Sequence, residues 1–255
     1  MTASIAIDRT PRQQYLLRLS DTCLILGQRL GEWCGHAPIL EEDIALANMA
    51  LDLIGQARAL LTHAGAEQGL DEDQLAFLRD ERDYLNPTIV ELPRGDFAFT
   101  VLRNAMVSTW LRLVWERLRE SSDAELAAIA GKAVKEARYH QQHAADWAVR
   151  LGDGTDESRR RCEAALETLW RYTPELFDDD AVDAHAASTG LGPAASTLRE
   201  PWLAEMAEIL GEATLATPAD SAFRSTGKRG LHTEHMGHLL SEMQSLQRAF
   251  PGGAW

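Results

Sequence analysis

The sequence predicts an all-α protein, a four-helix bundle with additional C-terminal helices. Apolar residues recur at helical spacing, and capping residues and Gly or Pro stop signals bound the segments, whereas alternating Val, Ile and Thr runs between tight turns are scarce. The long helices form two pairs, with short turns inside each pair and a longer crossover, from about 66 to 95, between them. This connectivity is typical of a crossover bundle.

The composition limits the class of protein. Lys and Arg total 25 and Asp and Glu total 39, so the formal net charge is −14, which disfavours nucleic acid as a partner. The three cysteines form no paired motif, no uncharged apolar run reaches the roughly 18 to 20 residues of a membrane span, and the first residues lack a signal-peptide pattern. We therefore expect a cytoplasmic protein that does not enter the membrane.

The first helix pair lies at the N-terminus. Thr10 caps the first helix, which runs to about residue 35, and the second helix spans about 38–65 with acidic residues in its first turn. A short third helix over 71–82 lies in the crossover.

The second pair and the C-terminal part follow. Asp96 caps a helix that ends near residue 120, and Ser122 with Glu125 forms a capping box for its partner, which Gly152 stops. Beyond it we expect helices at about 156–177, 181–188 and 199–216, a loop over 217–231, and a last helix capped by Thr233. No linker separates domains, so we expect one domain over 1–255, with the bundle at about 12–151 and helical additions at 152–255.

The second helix carries a polar stripe inside an apolar segment. Residues 44–62 include only two charged side chains, Asp52 and Arg58, so the segment is expected to be central and buried. At 100° per residue, one narrow stripe holds Asn48, Asp52, Gly55, Gln56 and Ala59. Hydrogen-bonded packing against a neighbouring helix is the more common meaning of such a stripe, and a metal or substrate site is the alternative.

A second cluster lies on the fifth helix. Glu136, His140 and His143 stand at i, i+4 and i+7 on one face and are residue types that bind transition metals. Carboxylate-bridged di-iron bundles use Glu-x-x-His instead, and the residue three after Glu136 is Tyr139. A hydrogen-bonded core histidine at His140 is therefore the favoured interpretation.

The di-iron template can be laid on both helix pairs. It places one carboxylate on a leading helix about 30 residues before each Glu-x-x-His. The six positions are occupied by Asp21, Asp52, Gly55, Asn104, Glu136 and Tyr139. Three are carboxylates and one is an amide, but glycine and tyrosine stand at both histidine positions and cannot replace imidazole ligands. The spacing thus indicates a metal-bundle architecture that has lost its metal.

Buried carboxylates without a metal need other partners, because an unpaired buried charge is costly. We expect Arg58 or Lys132 to neutralise one of them. We expect an internal hydrogen-bonded network formed by Asp21, Asp52, Asn104, Glu136 and Tyr139.

Five segments carry a family resemblance, in matching order and spacing. They are RLGEWCGHAP (29–38), LDLIGQAR (51–58), KEARYH (135–140), GKRGLHTEHMG (227–237) and LSEMQSLQRAFPG (240–252). From about Tyr15 onward the chain resembles the C subunits of ring 1,2-phenylacetyl-CoA epoxidases. The resemblance implies a ferritin-like bundle with a degenerate di-iron site, acting as a structural, non-catalytic subunit of the multicomponent monooxygenase of aerobic phenylacetate degradation.

The same resemblance implies partners and cofactors. It implies a stable hetero-oligomer with the catalytic A subunit, which binds the di-iron centre and phenylacetyl-CoA. It also implies a reductase component with FAD and an iron–sulfur centre that takes electrons from NADPH for the O₂-dependent reaction. No catalytic residue, metal or cofactor is then expected in this chain.

Two alternatives remain open. The chain is itself a metal-dependent oxidase with an altered site around Glu136, His140 and His143, or it recognises CoA phosphates through Lys228 and Arg229. Those two residues form a basic turn just before the last helix, and helix N-termini attract phosphate. More often such a turn is solvated or contacts an acidic protein partner.

Overall fold

The computed structural model describes residues 4–251 and 253, and within them the chain is all-α, as predicted. Their only β feature is an isolated bridge between Thr226 and Leu231. The α-helices are α1 (Pro11–Gly31), α2 (Leu40–Ala66), α3 (Glu72–Phe77), α4 (Thr88–Glu91), α5 (Phe97–Leu118), α6 (Ala124–Gly152), α7 (Asp156–Trp170), α8 (Ala181–Thr189), α9 (Arg199–Glu212) and α10 (Glu234–Ala249).

The four long helices α1, α2, α5 and α6 form the bundle, and α2 packs directly against α6. The Gln13 amide donates to the Ala64 carbonyl across 2.7 Å, which ties the start of α1 to the end of α2 and makes the pair antiparallel. In the second pair, Gln141 of α6 donates to Thr109 of α5 across 3.1 Å, and Arg138 donates to Glu116 across 3.0 Å. Residue numbers fall along α6 as they rise along α5, so this pair is antiparallel as well. The interior is filled by aliphatic and aromatic side chains, including Leu16, Leu26, Leu60, Trp115 and Leu126.

The C-terminal helices pack onto this bundle. α7 and α9 contact both α5 and α6, α8 contacts α1, and α10 contacts α3 and α4 of the crossover. Trp202 of α9 is buried and its indole N–H donates to the Met106 carbonyl across 2.9 Å. The arrangement is that of a ferritin-like bundle with helical additions.

Several predicted helices end earlier than expected. The first helix ends at Gly31, and the segment over 71–82 divides into α3 and a 3₁₀ turn at Glu81–Asp83. The helix predicted over 156–177 ends at Trp170, because Pro174 has no N–H to continue the ladder. The chain resumes there as a 3₁₀ turn.

Two of the helix caps differ from those predicted from the sequence. Thr10 and Asp96 cap α1 and α5 as predicted. Asp123, not Ser122, caps α6, because its carboxylate accepts from two backbone N–H groups of the first turn and carries the charge favoured there. Thr233 precedes α10 but its side chain makes no capping bond.

Helix α2 is unusually apolar. It is the one helix of the described chain that is long and apolar enough, by length and composition, for a membrane span. Asp52 and Arg58 interrupt its apolar run, as the sequence shows. Less than half of its most apolar window is buried, on the sides that face α1 and α6. The face of α2 toward α1 and α6 therefore belongs to the bundle core, and the remaining surface of the helix is not covered by the described chain.

Candidate functional site

Two polar pairs cross the interface between α2 and α6. His140 Nε2 lies 3.1 Å from Asp52 Oδ2, and the Gln56 amide donates to Glu136 Oε2 across 2.9 Å. Each helix contributes positions four residues apart, which lie on one face, and the helices run antiparallel, so the pairs are successive rungs. We refer to these four residues as the α2–α6 ladder.

Glu136 has a partner on each carboxylate oxygen. Lys132 Nζ lies 3.5 Å from Oε1, and Gln56 serves Oε2. The side-chain oxygen of Gln56, Oε1, accepts from the Cys23 thiol of α1 across 3.5 Å. Lys132 neutralises a carboxylate as predicted, whereas Arg58 pairs with Glu72, 2.9 Å away on the surface.

The electrostatics of the ladder favour neutral groups in its interior. Burial lowers the pKa of His140, whose side chain is 4% exposed, and the nearby Asp52 carboxylate only partly opposes this. Burial, reinforced by Glu136, raises the pKa of Cys23, so this residue is a thiol. A metal ligand at Cys23 would have to be a thiolate.

Asp21 lies outside this ladder, which corrects the predicted network. Its carboxylate is fully buried and binds the fully buried guanidinium of Arg79, with Nη1 3.0 Å from Oδ2. It also accepts from the Leu85 N–H across 2.8 Å, and Arg79 lies over the Tyr84 ring, 4.2 Å from its centroid. Because Arg79 belongs to the crossover, its ion pair with Asp21 fixes the crossover to α1.

Three other template residues make no side-chain hydrogen bond to the ladder within the described chain. Asn104 is buried, and its Oδ1 has no hydrogen-bond partner in the described part of the chain. Tyr139 is 54% exposed and Gly55 is exposed. The i+3 positions of both motifs thus face outward, while the i+4 positions Gln56 and His140 face inward. The predicted five-residue network is therefore wrong: Asp21 binds Arg79, Tyr139 faces outward, and Asn104 Oδ1 has no hydrogen-bond partner among the described residues.

The side chains present do not fit a di-iron pair. Such a pair needs carboxylates and imidazoles that converge, and among residues 4–251 and 253 no three His, Cys, Asp or Glu side chains come together in this way. His143 Nε2 instead lies 2.8 Å from Glu42 Oε2. In the alternative altered site, Glu136, His140 and His143 therefore bind three different partners on α2.

The segment 227–237 forms a second polar cluster, at the crossover. Glu91 is fully buried and accepts from the Thr233 backbone N–H across 2.6 Å and from the Asn86 amide across 3.0 Å. His232 Nδ1 lies 2.6 Å from the same carboxylate, and its Nε2 is 2.9 Å from the Tyr84 carbonyl. Burial opposes protonation of His232, but Glu91 outweighs it and raises the pKa.

The two basic residues of the turn at 227–230, for which a solvated position, an acidic protein partner and a CoA phosphate were the alternatives, have different environments. Lys228 is buried, its Nζ donates to the Asp178 carbonyl, and Asp183 Oδ2 is 3.4 Å away. Its backbone N–H donates to Glu175 Oε1 across 2.9 Å. Of the two basic residues Arg229 remains exposed, with Nε 3.8 Å from Asp180 Oδ2. As folded, the turn presents one accessible cation to a phosphate, not two.

Three structural carboxylate and guanidinium groups were missed in the sequence: Arg79, Glu91 and Glu175. Glu91 had a readable signal, because it is the lone charge in the apolar run from Ile89 to Leu92. Arg79 gave none, since it lies in a charged stretch typical of a solvated loop.

Together, the fold and ladder define a ferritin-like bundle whose inner carboxylates are bound by side chains of the same chain. The chain belongs to the phenylacetic acid catabolic protein family, whose model matches residues 2–255. It is 52% identical over 242 residues to the C subunit of 1,2-phenylacetyl-CoA epoxidase from Escherichia coli (strain K12), and the match covers 94% of this chain and 98% of that protein.

Proposed function

We propose that this chain is the structural, non-catalytic subunit of a 1,2-phenylacetyl-CoA epoxidase complex and works in the cytoplasm beside a catalytic di-iron subunit. The observation that carries the proposal is that each template carboxylate has a partner from this chain: Arg79 for Asp21, His140 for Asp52, and Gln56 with Lys132 for Glu136. The 52% identity to the C subunit of such an epoxidase, over 94% of this chain, supports the same role.

The proposed role is mechanical. A catalytic bundle that gathers several carboxylates around two irons has a polar interior, and packing a rigid bundle against its helices keeps the ligands in position. The oxidation then takes place in the partner, with electrons from an NADPH-dependent reductase that carries FAD and an iron–sulfur centre. This chain supplies no reacting group.

The experiment compares the intact complex with and without the ladder charges. Asp52→Asn with Glu136→Gln preserves shape and removes the charge that a cation requires. We expect iron per complex and epoxidation rate to stay within about two-fold of wild type, because neither carboxylate touches the reacting atoms. Asp146→Asn, an exposed carboxylate on α6, is the matched control.

A loss of half or more of the iron in the charge-removed complex would contradict the proposal and favour the metal-dependent oxidase with Glu136, His140 and His143. Iron measured on the chain purified alone provides an independent readout. We expect far less than one iron per chain, and tight binding of two irons would equally contradict the proposal.

A further inference from the structure

A small cavity lies where the C-terminal helices meet the bundle. Its volume is about 40 Å³, and its wall is formed by residues of α1, α5, α8, the crossover and the turn at 227–230. Every residue of the wall except Pro193 is buried. Most of the wall is apolar and includes Leu19, Leu85, Val114 and Leu198. The few polar groups on this wall therefore have little access to bulk water.

The first of these polar groups is the phenol of Tyr15 on α1. Tyr15 is 6% exposed, and its hydroxyl makes no hydrogen bond within the described chain. The hydroxyl lies directly against the loop after α8, because a Cβ built on Gly192 would stand 2.1 Å from Tyr15 Oη. Burial raises the pKa of Tyr15, and the Asp183 carboxylate raises it further. The phenol thus keeps its proton and is able both to donate and to accept a hydrogen bond.

The second polar group is the carboxylate of Asp183 on α8, which is also 6% exposed. Its Oδ2 accepts from Arg18 Nη1 across 3.2 Å, from the Asp180 backbone N–H across 3.1 Å and from Lys228 Nζ across 3.4 Å. All the hydrogen bonds that this carboxylate accepts within the described chain fall on Oδ2. A buried carboxylate oxygen without a donor is costly, so Oδ1 requires one from outside the chain.

Tyr15 and Asp183 lie on the wall of the same cavity. The carboxylate is close enough to act on the pKa of the phenol, yet no hydrogen bond joins the two side chains. A molecule between them has to donate to Asp183 Oδ1 and to exchange a hydrogen bond with Tyr15 Oη. Water meets both requirements, and a buried water typically makes about three hydrogen bonds to groups of this kind.

The size and charge of the cavity also favour water over other ligands. One water needs roughly 10–15 Å³, so the cavity of about 40 Å³ has room for about two or three waters. Two cations and two carboxylates meet beside it: Arg18 pairs with Asp180 and Asp183, and Lys228 pairs with Asp183. This charge is balanced, so the site has no preference for an ion of either sign.

We propose that this cavity is a hydration site, in which ordered water bridges Tyr15 Oη and Asp183 Oδ1. The water joins α1 of the bundle to α8, and it completes the polar contacts through which the C-terminal helices dock onto the bundle. The proposal concerns this chain alone and does not depend on the proposed function.

The direct test is a crystal structure of the full chain at a resolution that shows ordered water. We expect a water within about 2.5–3.0 Å of both Tyr15 Oη and Asp183 Oδ1, the range of O–H···O hydrogen bonds. A direct hydrogen bond between the two side chains would overturn the proposal, and so would the absence of a water that contacts both. This measurement needs no variant and therefore does not depend on how a substitution folds.

Tyr15→Phe keeps the ring and removes the hydroxyl. It should raise the equilibrium constant of unfolding by about three- to ten-fold, because the bridging water loses a partner. Tyr172→Phe removes the hydroxyl of a half-buried tyrosine elsewhere and is the matched control, with an expected change of less than about two-fold. A change below two-fold for Tyr15→Phe would contradict the bridge.

A cavity-filling variant distinguishes a hydrated cavity from a dry one. Ala195 is buried on the cavity wall, and Ala195→Val adds two methyl groups. If these methyl groups displace the bridging water, Tyr15 and Asp183 both lose a partner. Ala195→Val should then raise the equilibrium constant of unfolding at least about three-fold more in wild type than in Tyr15→Phe. Equal changes in the two backgrounds would indicate a dry cavity and would overturn the proposal.

Discussion

The imidazole of His140 lies 3.1 Å from the carboxylate of Asp52, across the interface of two helices that are distant in sequence. The pair forms one rung of the α2–α6 ladder, so the Asp52 carboxylate has a hydrogen-bond partner from its own chain. Because His140 is buried while Asp52 is partly open to solvent, the environment favours the neutral ring. This asymmetry gives the pair a predictable response to pH.

The lowered pKa of His140 means that the unfolded chain takes up a proton before the folded chain does. The contribution of His140 to the free energy of unfolding is fully present above the ordinary histidine pKa of about 6.5. It is lost as pH falls from there through the lower pKa of the folded state. In denaturant unfolding, the free energy of unfolding of wild type should fall relative to that of His140→Gln as pH decreases through this window. The glutamine retains an amide donor but does not titrate. Equal slopes of unfolding free energy against pH below 6.5 would contradict the prediction.

His232 should respond in the opposite direction. Burial acts against its charge, but the Glu91 carboxylate prevails and the folded pKa is raised. Its contribution is fully present below about pH 6.5 and is lost as pH rises through the raised value. We expect the stability advantage of wild type over His232→Gln to shrink with rising pH. An NMR titration of the His232 ring that gives a pKa below 6.5 would show the assignment to be wrong.

The Asp21–Arg79 ion pair should be the most sensitive pair in the crossover. Removing one partner of a fully buried pair leaves an uncompensated charge, so Asp21→Ala should lower the unfolding free energy by about 3–5 kcal/mol. Asp220→Ala breaks the exposed pair with Arg199 and should cost at most about 1 kcal/mol. Urea midpoints of the two variants provide the comparison, and similar costs would refute a special role for the buried pair.

Alanine substitutions at Gly35 and Gly230 distinguish the cost of backbone strain from the cost of steric overlap. Both glycines adopt a left-handed conformation, with φ of 77° and 76°. A Cβ at Gly35 meets open space within 4 Å in the described chain, whereas one at Gly230 would overlap the Arg82 carbonyl. Gly35→Ala should therefore cost about 1–2 kcal/mol for strain alone.

Gly230→Ala should cost clearly more than Gly35→Ala, because the segment 227–237 has to withdraw from the crossover. Amide hydrogen exchange should show faster exchange for α10 in Gly230→Ala than in Gly35→Ala. Equal costs and equal exchange would mean that the crossover carbonyl moves aside without penalty.

Sequence periodicity was sufficient for the four long helices and the order of the C-terminal ones. Apolar spacing reports which face of a helix is buried, and local caps such as Thr10 and Asp96 act within one turn, so both can be read without knowing the fold. The assignment of Gly55 and Tyr139 to the histidine positions of the Glu-x-x-His comparison stays a prediction from the sequence. Whether the assembled chain binds iron stays a prediction.

The partners of the inner carboxylates were decided by tertiary structure. Sequence spacing placed Asp21, Asp52 and Glu136 in one network, but the crossover brings Arg79 to Asp21, and the register of α2 against α6 assigns His140 to Asp52 and Gln56 to Glu136. The sequence by itself determined which segments are helical and which residues are polar within them, because helix formation is local. Only the packing decided which polar groups meet, because a buried charge takes the partner that the crossing of distant segments places beside it.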